Sequence, residues 1–188
     1  MKTFVEIGSC YYHTLAHLCN KGWRGIVVEP QKEALDKIPD YDNLVKVEGA
    51  VTTQFETLEL TRFKPEMWDK LPDQDYIGMA SFIETHAIHE SHESVLEKIE
   101  VGCVPFNFLI EQLGITTIDF LKIDIEGLDF DVLKSIDFEK FDIKFIQIEY
   151  DHIDEVGYTL DDMVDFLRSH NYHTEVYTMP LDIIAIKI

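Results

Sequence analysis

With 188 residues, 46% of them hydrophobic, the chain is long enough for one domain with a sizeable core and short for two. Its 36 acidic side chains outnumber 16 basic ones, and the net charge of −20 repels polyphosphates and anionic lipid, which argues against nucleic acid and membrane surfaces as partners. Cys10, Cys19 and Cys103 are widely spaced without a C-x-x-C pair, so they predict neither a disulfide framework nor a zinc knuckle and fit a reducing, cytoplasmic setting.

No apolar run approaches the roughly 18 residues of a membrane span. Met1-Lys2 leads straight into Phe4-Val5, the start of a first strand, with no signal-peptide core, as expected of a soluble, unprocessed chain. That strand stops at Gly8; Leu15, Leu18 and Cys19 then recur at helical spacing up to Gly22. Gly25-Ile-Val-Val28 reads as a second strand. Pro30 suits a first helical turn, Ala34, Leu35 and Ile38 share a helix face, and residues 44–47 supply a third strand.

Residues 52–98 read as a variable, lid-like insertion within a single domain spanning 1–188. Leu58 and Leu60 hint at an extra strand, while Pro65, Pro72, Gly78 and the polar run over 86–93 predict loops. A strand over 99–104, a helix over 106–113 closed by Gly114, and a buried strand over 118–123 follow. Leu128, Val132, Leu133 and Ile136 form a helical stripe. Residues 143–148 make another strand. Thr159 caps a helix with Leu160, Met163, Val164 and Leu167 on its inner face, and Asn171 ends it. The last strands, 172–177 and 182–188, are joined by too few residues for a parallel crossover, so the sheet should end in an antiparallel pair. The class is α/β, a doubly wound, mostly parallel sheet with one reversed strand, the arrangement class I methyltransferases use.

In such a sheet ligands bind beyond the carboxyl ends of the strands, near the point where strand order reverses. Glu6-Ile7-Gly8-Ser9 sets a carboxylate and a bare backbone at the first turn. Glu29 ends the second strand 21 residues after Gly8, where nucleoside-binding folds place an acid that accepts ribose hydroxyls. The pyrophosphate fingerprint G-x-G-x-x-G is missing, since Cys10 and His13 stand at its second and third glycine positions. An adenosyl ligand without a pyrophosphate, S-adenosylmethionine, is therefore preferred over a nicotinamide or flavin dinucleotide.

The segment Lys122-Ile-Asp-Ile-Glu-Gly127 is the most distinctive, and through it the chain resembles the FkbM-type methyltransferases, whose hallmark is a lysine-apolar-aspartate-apolar-glutamate-glycine turn. The resemblance extends to Phe4-Val-Glu-Ile-Gly8, Gly25-Ile-Val-Val-Glu-Pro30, Gly78-Met-Ala-Ser81, Val104-Pro-Phe-Asn-Phe-Leu109 and Ile146-Gln-Ile-Glu149. It implies a seven-stranded Rossmann-like fold, S-adenosylmethionine as donor, and a hydroxyl acceptor on a sugar or natural product. By the same resemblance Glu6, Gly8 and Ser9 would line the methionine side, Glu29 the ribose and Ala50-Val51 the adenine neighbourhood. Asp124 and Glu126 would face the reaction centre. Two departures stand out: Tyr12 occupies a position where many relatives carry a second glycine, and the chain starts immediately before its first strand.

The run His86-Ala-Ile-His89-Glu-Ser-His92-Glu is not H-E-x-x-H, and a solvated loop accounts for it; the functional alternative is His86 or His89 as general base beside the Gly78 motif. Asp124 is the first choice for the proton or for orienting the acceptor, His86 the second. Asp124, Glu126 and Glu149 could together hold a divalent metal, although three acids at neighbouring strand ends also arise from topology alone, and no metal is assigned. A noncatalytic protein that kept the nucleoside pocket is the competing reading, and a nicotinamide-dependent oxidoreductase the third.

Overall fold

The computed structural model describes residues 1–11, 14–72, 74–84, 88 and 93–188. In chain order the first half contains β1 (Thr3–Ile7), a 3-10 helix (Leu15–Lys21), β2 (Arg24–Glu29), α1 (Lys32–Leu35), β3 (Leu44–Glu48), β4 (Ala50–Thr52) and β5 (Glu56–Phe63). Short 3-10 turns lead to β6 (Leu96–Pro105), α2 (Phe106–Gln112), β7 (Thr117–Ile118), β8 (Phe120–Ile123) and α3 (Asp129–Ser135). The chain continues through β9 (Asp142–Ile143), β10 (Phe145–Glu149), α4 (Leu160–Ser169), β11 (Tyr172–Val176) and β12 (Asp182–Lys187).

Seven strands form the main sheet in the order β11-β12-β10-β8-β1-β2-β3. All neighbours run parallel except β12, which is antiparallel to both β10 and β11, as the short 177–181 connection requires. The chain winds outward from β1 through β2 and β3, then returns to add β8 and β10 on the other side, so the order reverses between β1 and β8.

Both faces of this sheet are covered, which is why β1 is buried at every residue. Val5, Ile7, Ile26, Leu121, Ile123 and Ile148 pack against Phe106, Val132, Leu133 and Met163 of the helices on one face. Phe4 and Val27 meet Ala16, Cys19, Leu35 and Ile38 on the other. Thr159 caps α4 through a capping box with Asp162, an arrangement worth about 0.5–2 kcal/mol. Cys10, Cys19 and Cys103 are buried, and no disulfide joins them to one another. Among the described residues no helix is long and apolar enough to cross a membrane.

Two local expectations are corrected and a third is extended. The first helix is 3-10, because its buried residues Ala16 and Cys19 stand three apart, the repeat of the tighter helix, and Gly22 at φ 80° stops it. The second helix begins at Lys32, not at Pro30, because Gln31 is extended and its N–H is committed to the Glu29 carboxylate. The strand expected over 99–104 belongs to a separate three-stranded sheet, β4-β6-β5, in which β5 and β6 pair antiparallel. Much of the insertion has a small core of its own, where Phe63, Trp68, Ile77 and Ile88 pack with Cys10 and Ala34. Aperiodic 3-10 turns hide such packing from any period-based reading.

Candidate functional site

One cavity of about 840 Å³ opens over the reversal point, walled by the carboxyl ends of β1, β2, β8 and β10, by Asp182 at the amino end of the antiparallel β12, and by the Gly78–Ala80 stretch of the insertion. Of the residues expected there, Gly8, Ser9, Glu29, Ala50, Val51, Asp124 and Glu126 line it. Glu6 does not. It shares a β1 face with Phe4, fully buried beneath the 3-10 helix, where its Oε2 accepts from Thr14 Oγ1 at 2.6 Å and Leu15 N at 2.8 Å. Its other oxygen lies 3.6 Å from Lys122 Nζ, so Glu6 reaches the site through that lysine. His86, His89 and His92, with Tyr12 and His13, lie outside the described residues.

Gly8 permits the first wall. It sits at φ 76°, and a Cβ there would collide with the Asp124 carbonyl oxygen, so the turns after β1 and β8 can touch only with glycine at this position. Glu29 is 3% exposed and fixed by backbone donors: Cys10 N at 2.8 Å and Gln31 N at 3.0 Å. Burial pushes its carboxyl up to about 7 against those hydrogen bonds.

The turn after β8 is held differently. Asp129, 4% exposed at the start of α3, accepts from Ile125 N and Gly127 N at 3.0 Å each, and Ser81 Oγ donates to the Glu126 carbonyl at 2.9 Å. These bonds keep Glu126 at φ 56°, an unusual conformation for a non-glycine residue of the kind that clusters at functional sites. Burial, then the nearby Asp124 charge, drives Asp129 to about 7.

Strand register explains the next row of groups. Lys122 is directly opposite Glu6 on one side and Gln147 on the other. Its ammonium stands 3.3 Å from Asp124 Oδ2; burial favours the neutral amine, but the Asp124 and Glu6 charges outweigh it and hold the lysine above its ordinary value. Asp124, about a third exposed to the cavity, is raised by burial despite Lys122.

His152 has no counterpart in the expected set. Its Nε2 is 3.2 Å from Glu126 Oε2 and its Nδ1 is 2.8 Å from Glu155 Oε1, and the hydrogen bond to Glu126 leads the effects that raise the ring to about 9. It is the protonated neighbour of the acid turn, on a chain segment 26 residues away, where no local spacing marked it. One oxygen each from Asp124, Glu126 and Glu149 falls within 4.8 Å of the others, a spacing that could hold a divalent cation. Lys122 and His152 already supply positive charge to two of the three. Glu149 is pushed up to about 11 by burial and by repulsion from Asp124, Asp129 and Glu126, so it stands protonated at neutral pH.

The cavity thus combines a backbone-fixed acceptor at the end of β2 with a carboxylate cluster at the ends of β8 and β10. No curated protein and no solved structure shows a significant match to the chain. The family model for the Methyltransferase FkbM domain matches residues 4–174, from the start of the first strand into β11. With that coverage, and with the seven-stranded sheet and its antiparallel final pair in place, the chain belongs to the FkbM methyltransferase domain family.

Proposed function

We propose that the protein transfers a methyl group from S-adenosylmethionine to a hydroxyl on a small acceptor, a sugar or natural product. The observation that carries this is the meeting, in one cavity, of the nearly inaccessible Glu29 and the Asp124–Glu126 turn. The residues fit the donor. The close approach at Gly8 leaves bare backbone beside Ser9, and Glu29 offers hydrogen-bond acceptors in a setting that excludes water. Bound there, the sulfonium supplies a methyl group open to in-line displacement.

The chain's own residues then have three tasks: hold the nucleoside, align the acceptor and take its proton. Gly8 and Ser9 would hold the methionine end, Glu29 the ribose, and Ala50 with Val51 the adenine edge. Asp124, its proton affinity raised by burial, accepts a hydroxyl proton more readily than an ordinary aspartate, and Lys122 steadies its charge before the acceptor arrives. Glu126, paired with protonated His152, orients the acceptor. Incubation with methyl-labelled S-adenosylmethionine and a panel of hydroxylated acceptors tests the proposal. Labelled product together with released S-adenosylhomocysteine is expected; tight S-adenosylhomocysteine binding without turnover on any acceptor would favour a noncatalytic binding protein.

A further inference from the structure

Glu6 is wholly buried behind the cavity wall, and its two oxygens have different tasks. Oε2 accepts from Thr14 Oγ1 and Leu15 N, so the carboxylate is pinned to the start of the 3-10 helix and cannot swing toward the cavity. Oε1 has no hydrogen-bond partner among the described residues and faces the Lys122 ammonium at 3.6 Å. That ammonium also lies 3.3 Å from Asp124 Oδ2, so one cation stands between a fixed, hidden anion and an anion on the cavity wall. Strand register builds the sharing in: Glu6 and Lys122 are paired residues of β1 and β8, and Asp124 follows Lys122 by two positions.

A cation divided between two anions neutralises each of them less than it would neutralise one alone. We propose that Glu6 is a positioning residue for the acid turn: it holds part of the Lys122 charge away from Asp124, leaving the carboxylate that meets the acceptor free to take a proton. The catalytic meaning rests on the reading of Asp124 as the acceptor's base. The other groups around Asp124 are carboxyls, Glu126 on its own turn, Glu29 from β2, Asp129 from α3, Glu149 from β10 and Asp182 from β12, and His152 is engaged by Glu126. Lys122 opposes their repulsion, and it faces Glu6, Asp124 and Asp182 in turn. Gln147, its neighbour on β10, gives its amide to Asp182 at 2.6 Å. How much of the lysine charge reaches Asp124 is therefore set chiefly by Glu6.

The test reads Asp124 itself: the intact protein, carbon-labelled at its aspartate carboxyls, is titrated by NMR, the Asp124 signal being the one lost in Asp124→Asn. Glu6→Gln keeps the oxygen that Thr14 and Leu15 need and turns an amide N–H toward Lys122, which gives the lysine over to Asp124. The Asp124 midpoint should then fall by about half to one pH unit. Lys122→Met should raise the midpoint, and adding Glu6→Gln to that variant should change it little, since Glu6 acts through the lysine. A midpoint unmoved or raised in Glu6→Gln, or lowered equally with and without the lysine, overturns the proposal; an ion pair that serves only the fold would lower the melting temperature and leave the midpoint in place. Should Glu6→Gln fail to fold, Glu6→Asp, which retracts the charge by one methylene, must move the midpoint in the same direction, and no movement refutes the assignment. Turnover separates this from the functional reading, because unchanged turnover in Asp124→Asn removes the base whatever the NMR midpoint does.

Discussion

The two sides of the cavity hold their acids in opposite ways. At the ends of β1 and β2 a single carboxylate, Glu29, is tied to two backbone N–H groups and has burial as its dominant influence. At the ends of β8 and β10, Asp124, Glu126 and Glu149 crowd one another, and two cations, Lys122 and His152, relieve them. A backbone-fixed acceptor suits recognition of a constant ligand, because its position is set before binding. A mutually repelling cluster suits proton movement, because small changes in contact shift its proton affinities. If that contrast is right, substitutions on the two sides should fail in different ways.

The largest effect is expected at Asp124. Asp124→Asn keeps size and hydrogen bonding but removes the proton-accepting charge, so turnover should fall by about 10²–10⁴-fold while S-adenosylhomocysteine binds almost normally. Paired calorimetry and S-adenosylhomocysteine release check it: unchanged turnover removes Asp124 from the chemistry, and lost binding moves it to the donor side. Glu29→Ala should do the converse, weakening donor affinity by about 1.5–3 kcal/mol, the range for hydrogen bonds to a charged group, with the melting temperature as a control for folding. Equal losses of binding in both variants would erase the distinction between the two sides.

A smaller effect sharpens the electrostatic half of the comparison. Folding raises His152 from about 6.5 to about 9, so the protonated ring stabilises the fold fully below pH 6.5, and that contribution is lost as pH rises through 9. Thermal melts between pH 6.5 and 9.5 should therefore fall more steeply for wild type than for His152→Gln, by a difference of about 1–3 kcal/mol. Parallel curves would show that the ring does not offset the Glu126 charge. At the bottom of the scale, duplex DNA should bind negligibly at physiological salt, given 16 basic residues among 36 acidic ones; a salt-dependent shift in a titration would reveal a basic patch made by folding.

How much of this was legible in the sequence follows the range of each signal. Strand ends and the reversal point come from short-range patterning, so Gly8, Glu29 and the Lys122–Gly127 turn could be placed on one cavity from residue order alone. The antiparallel final pair followed from the length of one connection. The family resemblance puts Glu6 on the cavity, but Glu6 alternates with Val5 and Ile7 and shares the Phe4 side of β1, and that strand period puts it beneath the 3-10 helix. His152 carries no local signal, because its role lies in a partner distant in sequence, Glu126. The β5–β6 pairing was half visible at Leu58 and Leu60, whereas its separation from the main sheet depended on register that no periodicity encodes.

The central claim, that this cavity is built for an adenosyl donor read by Glu29, is tested most directly by calorimetry of wild type with S-adenosylhomocysteine and, separately, with nicotinamide adenine dinucleotide, at pH 6 and pH 8. Burial sets the free Glu29 carboxyl near 7, and hydroxyl donors favour its ionised form. The account predicts that S-adenosylhomocysteine binds, binds several-fold more tightly at pH 8 than at pH 6, and loses that difference in Glu29→Gln, while the dinucleotide does not bind. Tight dinucleotide binding with no response to S-adenosylhomocysteine at either pH would contradict it.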